Sequence, residues 1–307
     1  MNARLNLVMT AVERLSEKLV RGALRVSFKG STQFPLPLPL LRKTMDAGAF
    51  LFWTRSDCSV EHRQLGNVSV ALLTPKNGPA HKTLLLMHGG AFFAGSLRTH
   101  MAMASELAVR CEAQVVLVDY RLAPEHTYPA ATNDGLAVYA ALMDQYIDPA
   151  TTFLVGDSAG GGMVLHMAQQ LRDQGVELPA GLILISPFVD LTLSSHSIQT
   201  RRRDDPMLSE APLRRGGDAY RGELDAADPR VSPVFGDLTG LPRMLIQCGS
   251  DEILLDDTLL LESRAKAAGV MVHCTIYPRM WHNFQMFNAL IGAADKALYE
   301  VAEFVRD

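Results

Sequence analysis

TFLVGDSAGGGMVLHMAQQ, residues 152–170, runs from an apolar stretch into Gly156-Asp157-Ser158-Ala159-Gly160 and out into helical spacing. Strand, tight turn and helix in immediate succession place one serine on a sharply bent backbone. Only small neighbours let the chain pass such a bend, and Gly156 and Gly160 supply the room. The turn presents the hydroxyl of Ser158 above a sheet. It also aims the first helical N–H groups, that of Ala159 included, at whatever Ser158 attacks. G-x-S-x-G alone is a weak signal, and a helix N-cap serine after a glycine turn is the structural alternative.

A second strand ends in the same way. LLLMHGGAFFAG, residues 84–95, drives an apolar run into His88, Gly89 and Gly90. Bare backbone there costs entropy and packing. It is useful where N–H groups must approach an anion, and acyl transfer builds negative charge on a carbonyl oxygen. The N–H groups of Gly89, Gly90 and Ala159 are the expected donors, with a plain structural turn as the alternative.

A serine hydroxyl needs a base. Of nine histidines, His282 follows the last strand-like run in the loop YPRMWHNF, just before a final helical stretch. Asp251 follows RMLIQCGS at another strand end, with Asp256 and Asp257 as fallback acids. Serine, acid and histidine thus leave one sheet edge in the order Ser158, Asp251, His282, the order of α/β-hydrolase scaffolds.

Strand-like runs recur at 68–74, 83–88, 114–120, 152–156, 181–186, 243–249 and 271–277, with helical stretches at 99–111, 133–145, 160–173 and 257–268. Apolar strands alternating with helices imply a mostly parallel central sheet flanked by helices, with the first strands allowed to be antiparallel at one edge. Residues 187–240 break the rhythm and read as an insertion. With the N-terminal part, 1–45, they are expected to form a helical cap over a catalytic domain of 46–186 and 241–307. Leu5, Val8, Val12, Leu15 and Leu19 have helical spacing and predict an amphipathic N-terminal helix packed on the core or serving as a lid. PLPLPLL, 35–41, predicts an extended link.

The chain has 307 residues and a net charge of −4, which gives no case for nucleic acid or an anionic membrane surface. No run of 18 apolar residues predicts a membrane span, and LNLVMTAV, 5–12, lacks a cleavage site after it. Cys58, Cys111, Cys248 and Cys274 are far apart without a CxxC pair, so neither metal nor redox chemistry is expected and a cytoplasmic setting fits.

HGGAF (88–92), DYRLAPEHTYPAATND (119–134), GDSAGG (156–161), SPFVDL (186–191), DPRVSPVF (228–235), GSDEILLDD (249–257) and WHNF (281–284) together resemble the hormone-sensitive-lipase-like branch of the α/β-hydrolases, the bacterial carboxylesterases. The resemblance implies an α/β-hydrolase fold and a serine esterase acting on short- to medium-chain esters. Ser158 would be its nucleophile, His282 its base and Asp251 the residue orienting the imidazole. It implies no cofactor, and leaves a homodimer open because the family often pairs through edge elements. An amidase, lactonase or deacetylase would use the same triad, and a non-catalytic small-molecule receptor of the same fold is the rival outside enzymes. Asp119, Arg121 and Glu125 are expected as buried paired charges beside the site. Phe92, Phe93, Met207, Leu208, Trp281 and Phe284 are expected to line an apolar pocket, though each fits a plain core equally well. The family commonly has a third glycine where Ala91 stands, so its methyl is expected to narrow the space beside the anion.

Overall fold

The structure, a computed structural model, describes residues 2–30 and 36–307, with side chains from residue 13 onward in the first helix. Eight strands form one sheet: β1 (Cys58–Leu65), β2 (Val68–Pro75), β3 (Lys82–Met87), β4 (Ala113–Val118), β5 (Thr152–Asp157), β6 (Gly181–Ile185), β7 (Met244–Gly249) and β8 (Val272–Tyr277). The helices are α1 (Asn2–Leu24), α2 (Leu38–Gly48), α3 (Leu97–Arg110), α4 (Ala130–Asp144), α5 (Ala159–Asp173), α6 (Ser197–Thr200), α7 (Glu210–Arg221), α8 (Leu255–Ala267) and α9 (Gly292–Arg306).

The strand order is β1-β2-β4-β3-β5-β6-β7-β8. β2 runs antiparallel to both β1 and β4, and every pairing from β4 to β8 is parallel. The seven apolar runs all become strands. β1 is the eighth, and its sequence CSVEHRQL carries no apolar run because it lies at the sheet edge with only its two end residues buried.

The central strands are buried on both faces. α4, α5 and α8 contribute to the larger apolar layer, and α3 and α9 to the other. Cys58, Cys111 and Cys248 are buried free thiols; Cys274 is a partly buried one.

Two local expectations are corrected. The proline-rich stretch does not stay extended: Leu38 starts α2, with Pro37 as its N-cap and a proline in the first turn. Proline fits there because the first N–H groups of a helix have no intrahelical partner to lose. The apolar stripe of α1 does not pack inward at the positions whose side chains are described: Leu15 is 58% and Leu19 66% exposed. The helix instead docks through Leu24, half-buried Val20 and basic side chains, while Leu5, Val8 and Val12 lie outside the described side chains.

Residues 187–240 leave β6 and return to β7. Asp257, in the first turn of α8, ties their start: its carboxylate accepts from the N–H groups of Val189 and Asp190 and from Ser195 Oγ. Asp256 accepts from Ser197 N–H at 2.8 Å. Neither fallback acid approaches His282 by hydrogen bond. Burial, with the charge of Asp190 added, pushes the Asp257 carboxyl up to about 7.

A raised carboxyl pKa means the folded state holds its proton more tightly than the unfolded chain. Its contribution is therefore lost as pH climbs from the unfolded carboxylate range to about 7. Asp257→Asn is neutral at every pH and keeps an acceptor. The Tm of Asp257→Asn minus that of the wild type is expected to be larger at pH 8 than at pH 5. An equal difference at both, by calorimetry, contradicts this account.

Candidate active site

The site is built on three strand ends and one turn beyond a fourth. Ser158 sits between β5 and α5 with φ 52° and ψ −120°. That positive φ is strained for a residue with a Cβ. Its neighbours make the bend possible: a Cβ on Gly160 would collide with the carbonyl of Met87, and one on Gly156 with the carbonyl of Gly160. Ser158 N–H donates to Ile185 O at 2.8 Å, and Ser158 O accepts from Gly161 and Phe188 N–H. The bend is therefore held from both sides.

The acid beside the histidine is Glu252. Its Oε2 lies 3.0 Å from His282 Nδ1. Its Oε1 accepts from Ser186 Oγ at 2.7 Å and from the N–H of Gly249. Ser186 Oγ also accepts from Asn283 N–H, so one hydroxyl joins the acid turn to the histidine turn. Asp251, the expected acid, does not reach His282. Its N–H is bound to Met280 O, and its carboxylate turns the other way to meet Arg21 at 2.6 Å. Consecutive carboxylates diverge, and only the one beside the buried Ile253-Leu254 faces the interior. That apolar flank was the signal in the sequence for Glu252. Ser186 carried none.

Burial alone would lower the His282 pKa. The hydrogen bond and charge of Glu252, with Asp205 and Asp157 behind it, more than reverse this and leave the imidazole above its usual range.

Asp157 joins the serine turn to the histidine turn. Its Oδ2 accepts from Asn283 Nδ2 at 2.6 Å, and its Oδ1 from Gly89 N–H at 2.9 Å. The second bond corrects a further expectation, because Gly89 N–H is already committed. The N–H groups of Gly90 and Ala91 have no hydrogen-bond partner among the described residues. Gly90 has φ 124°, Ala91 48° and Phe92 66°, so the chain turns sharply after Gly89. Ala91 lies against Gly216 of α7, where a Cβ would sit 2.9 Å from the Ala91 methyl and would also strike the Ala91 carbonyl. The methyl therefore fills space toward α7.

Ser158 and His282 are each 3% exposed, and among the described residues no hydrogen bond joins Ser158 Oγ to the imidazole. A recess of about 330 Å3 between α1 and the start of α9 includes Arg279 and Met280 but neither Ser158 nor His282 among its walls.

Most of the expected pocket wall is core. Trp281 and Phe284 are fully buried, against Phe287 and Tyr277 respectively. Phe92 stacks on Tyr220 with ring centres 4.0 Å apart. Met207 and Leu208 are buried where Asp205 Oδ1 accepts both their N–H groups. Phe93 packs in a small cluster with Leu41 and Ala94, under the guanidinium of Arg215. The three expected buried charges are exposed instead: Arg121 pairs with Asp134, which is itself buried, Glu125 pairs with Arg42, and Asp119 has its side chain in solvent. Among the described residues no cluster has the make-up of a metal site, and no helix is long and apolar enough to cross a membrane.

A family model described as alpha/beta hydrolase fold matches residues 84–286. An esterase of Acinetobacter venetianus is 41% identical over 282 residues, covering 92% of this chain and 93% of that protein. An acetyl-hydrolase of Streptomyces hygroscopicus is 39% identical over 225 residues, covering 73% and 75%. The crystal structure of an esterase from the bacterial hormone-sensitive lipase family superposes with a TM-score of 0.91 at 31% identity, over 95% of this chain and 97% of that one. Strand order, serine turn and sequence similarity agree: the chain belongs to the alpha/beta-hydrolase family, in its hormone-sensitive-lipase-like branch, and is an ester hydrolase.

Proposed function

We propose that the protein hydrolyses short- to medium-chain carboxylic esters with Ser158 as nucleophile, His282 as base and then acid, and Glu252 as the partner of the imidazole. The observation that carries this reading is the His282–Glu252 pair, tied to the serine turn by the Asn283–Asp157 hydrogen bond. Glu252 on Nδ1 leaves Nε2 as the nitrogen that takes the Ser158 proton. A side-chain rotation of Ser158 on substrate binding completes the contact, as hydrogen bonds between nucleophile and base commonly tighten only then.

The tetrahedral oxyanion is received by the N–H groups of Gly90, Ala91 and Ala159. Two are unpartnered at the sharp turn after Gly89, and the third opens α5, where the helix dipole adds to it. His282 then protonates the departing alcohol, and water cleaves the acyl-enzyme along the same route. With Ser158 almost fully covered, an ester enters only when the covering segments part. We assign that cover to residues 1–45 and 187–240; the contact of α7 with Ala91 supports the second of these segments. The acetyl-hydrolase relative supports a short acyl group. Four free thiols, three of them buried, support a cytoplasmic setting.

Ser158→Ala is expected to lower kcat on p-nitrophenyl butyrate by at least about 10⁴-fold. Glu252→Gln should cost about 10³- to 10⁴-fold, and Asp251→Asn far less. The reverse ranking in steady-state assays would restore Asp251 as the acid.

The base works only when neutral. Because the His282 pKa is raised, log kcat/KM is expected to begin falling, on acidification, at a pH above the ordinary histidine value of about 6.5. An acid limb centred below that value contradicts the Glu252 contact. Gly216→Ala would press on the Ala91 carbonyl and shift the donor loop. It should reduce kcat by about 10²-fold with KM little changed.

A further inference from the structure

Arg21 of α1 makes contacts that the reaction as described does not use. Its guanidinium meets Asp251 at 2.6 Å, donates to the carbonyl of Arg279, and donates to Asp204 O at 3.1 Å. It also lies 5.1 Å from the ring centre of Trp281. Asp251 is adjacent to Glu252, and Trp281 is adjacent to His282. One side chain of the N-terminal helix therefore holds the residues next to both members of the acid–imidazole pair. One turn further along, just past the end of α1, the Arg25 guanidinium donates to Arg203 O, in the segment leading to Asp205.

We propose that Arg21 is a positioning residue that sets the separation of the acid turn and the histidine turn, making the register of Glu252 on His282 depend on the docking of α1. The proposal rests on Glu252 as the catalytic acid. Physically, the two turns are joined by Asp251 N–H to Met280 O, Ser250 N–H to Tyr277 O, Arg279 N–H to Ser250 Oγ, and Ser186 Oγ serving both Glu252 and Asn283. Each of these ties is uncharged at one or both ends. Arg21 adds a charge-assisted clamp on the outer side, with side chains of 17% and 20% exposure, where solvent screens the pair only in part. A guanidinium suits the task because its planar fork binds a carboxylate and carbonyl oxygens at once.

The charged groups around the pair are few. His282 faces Glu252, Asp205 and Asp157. Arg21 faces Asp251, and Arg279 beyond it pairs with Glu17 at 3.4 Å. Removing Arg21 alone would leave Asp251 uncompensated, so the informative variant removes both charges.

The experiment compares Arg21→Met, Arg21→Lys, Asp251→Asn, Arg21→Met/Asp251→Asn, Arg25→Met and Glu252→Gln. Active sites are counted by a fluorophosphonate burst, so that kcat refers to competent enzyme only. Arg21→Met should lower kcat about 10- to 100-fold with KM within threefold, the cost of a small misplacement of a catalytic group. Arg21→Lys should recover part of the loss. In the double variant the effects should be less than additive, and the acid limb should move to lower pH as Glu252 loosens its hold on His282. Arg25→Met loosens the turn that continues from α1 but touches neither the acid turn nor the histidine turn, and should leave kcat unchanged.

Equal kcat and an unmoved acid limb in Arg21→Met and in the double variant would overturn the proposal, as would an Arg25→Met loss matching that of Arg21→Met. In those cases Glu252→Gln would still be nearly inactive. Were Glu252→Gln instead active and Asp251→Asn inactive, the underlying triad assignment would fall.

Discussion

The buried carboxylate of Asp157 is the constraint on which the site depends. Removing a charge from water costs several kcal/mol unless its lone pairs are filled. Here they are filled by three separate segments: Gly89 N–H after β3, His100 Nε2 at 3.4 Å from α3, and Asn283 Nδ2 beside His282. Burial alone would raise this carboxyl, yet the neighbouring histidines and the Gly89 N–H hold it below the usual range. Because Gly89 is drawn to Asp157, the chain must reverse at Gly90 and Ala91, and that reversal frees their N–H groups. The turn after β3, the helix α3 and the loop of His282 thus meet the serine turn at one charge.

Beneath this hub the polar groups form a close stack. The rings of His88 and Tyr120 lie 4.2 Å apart, Tyr120 donates to His88 O at 2.7 Å, and burial pushes the His88 imidazole down to about 3. His88 is therefore neutral at working pH. It donates from Nδ1 to Gly89 O, which fixes the tautomer and stiffens the turn after β3.

The sheet was legible in the sequence wherever a strand is buried on both faces, since such strands must be apolar throughout. β1 was not, because an edge strand with solvent on its faces has no apolar run. The serine turn and the histidine loop were legible because glycines and strand ends mark them. Asp251, expected to orient the imidazole, stands one position before Glu252, the carboxylate that meets His282. Asp251 and Glu252 are both carboxylates at the same strand end, and their division of labour depends on which way each side chain leaves the turn. That direction is decided by partners distant in the chain: Arg21 for one, Ser186 and His282 for the other. The expected pocket residues were ambiguous for a related reason. An aromatic beside a histidine in such a loop can face a cavity or the core, and Trp281 and Phe284 are fully buried against Phe287 and Tyr277.

The four thiols have a practical implication. Burial raises all four pKa values, those of Cys111 and Cys274 to about 12. The thiolate is the form that alkylates, so the native cysteines are slow toward maleimides at neutral pH. A cysteine introduced on the outer face of α7 would take a fluorophore almost alone, giving an optical reporter of the contact between that helix and Ala91.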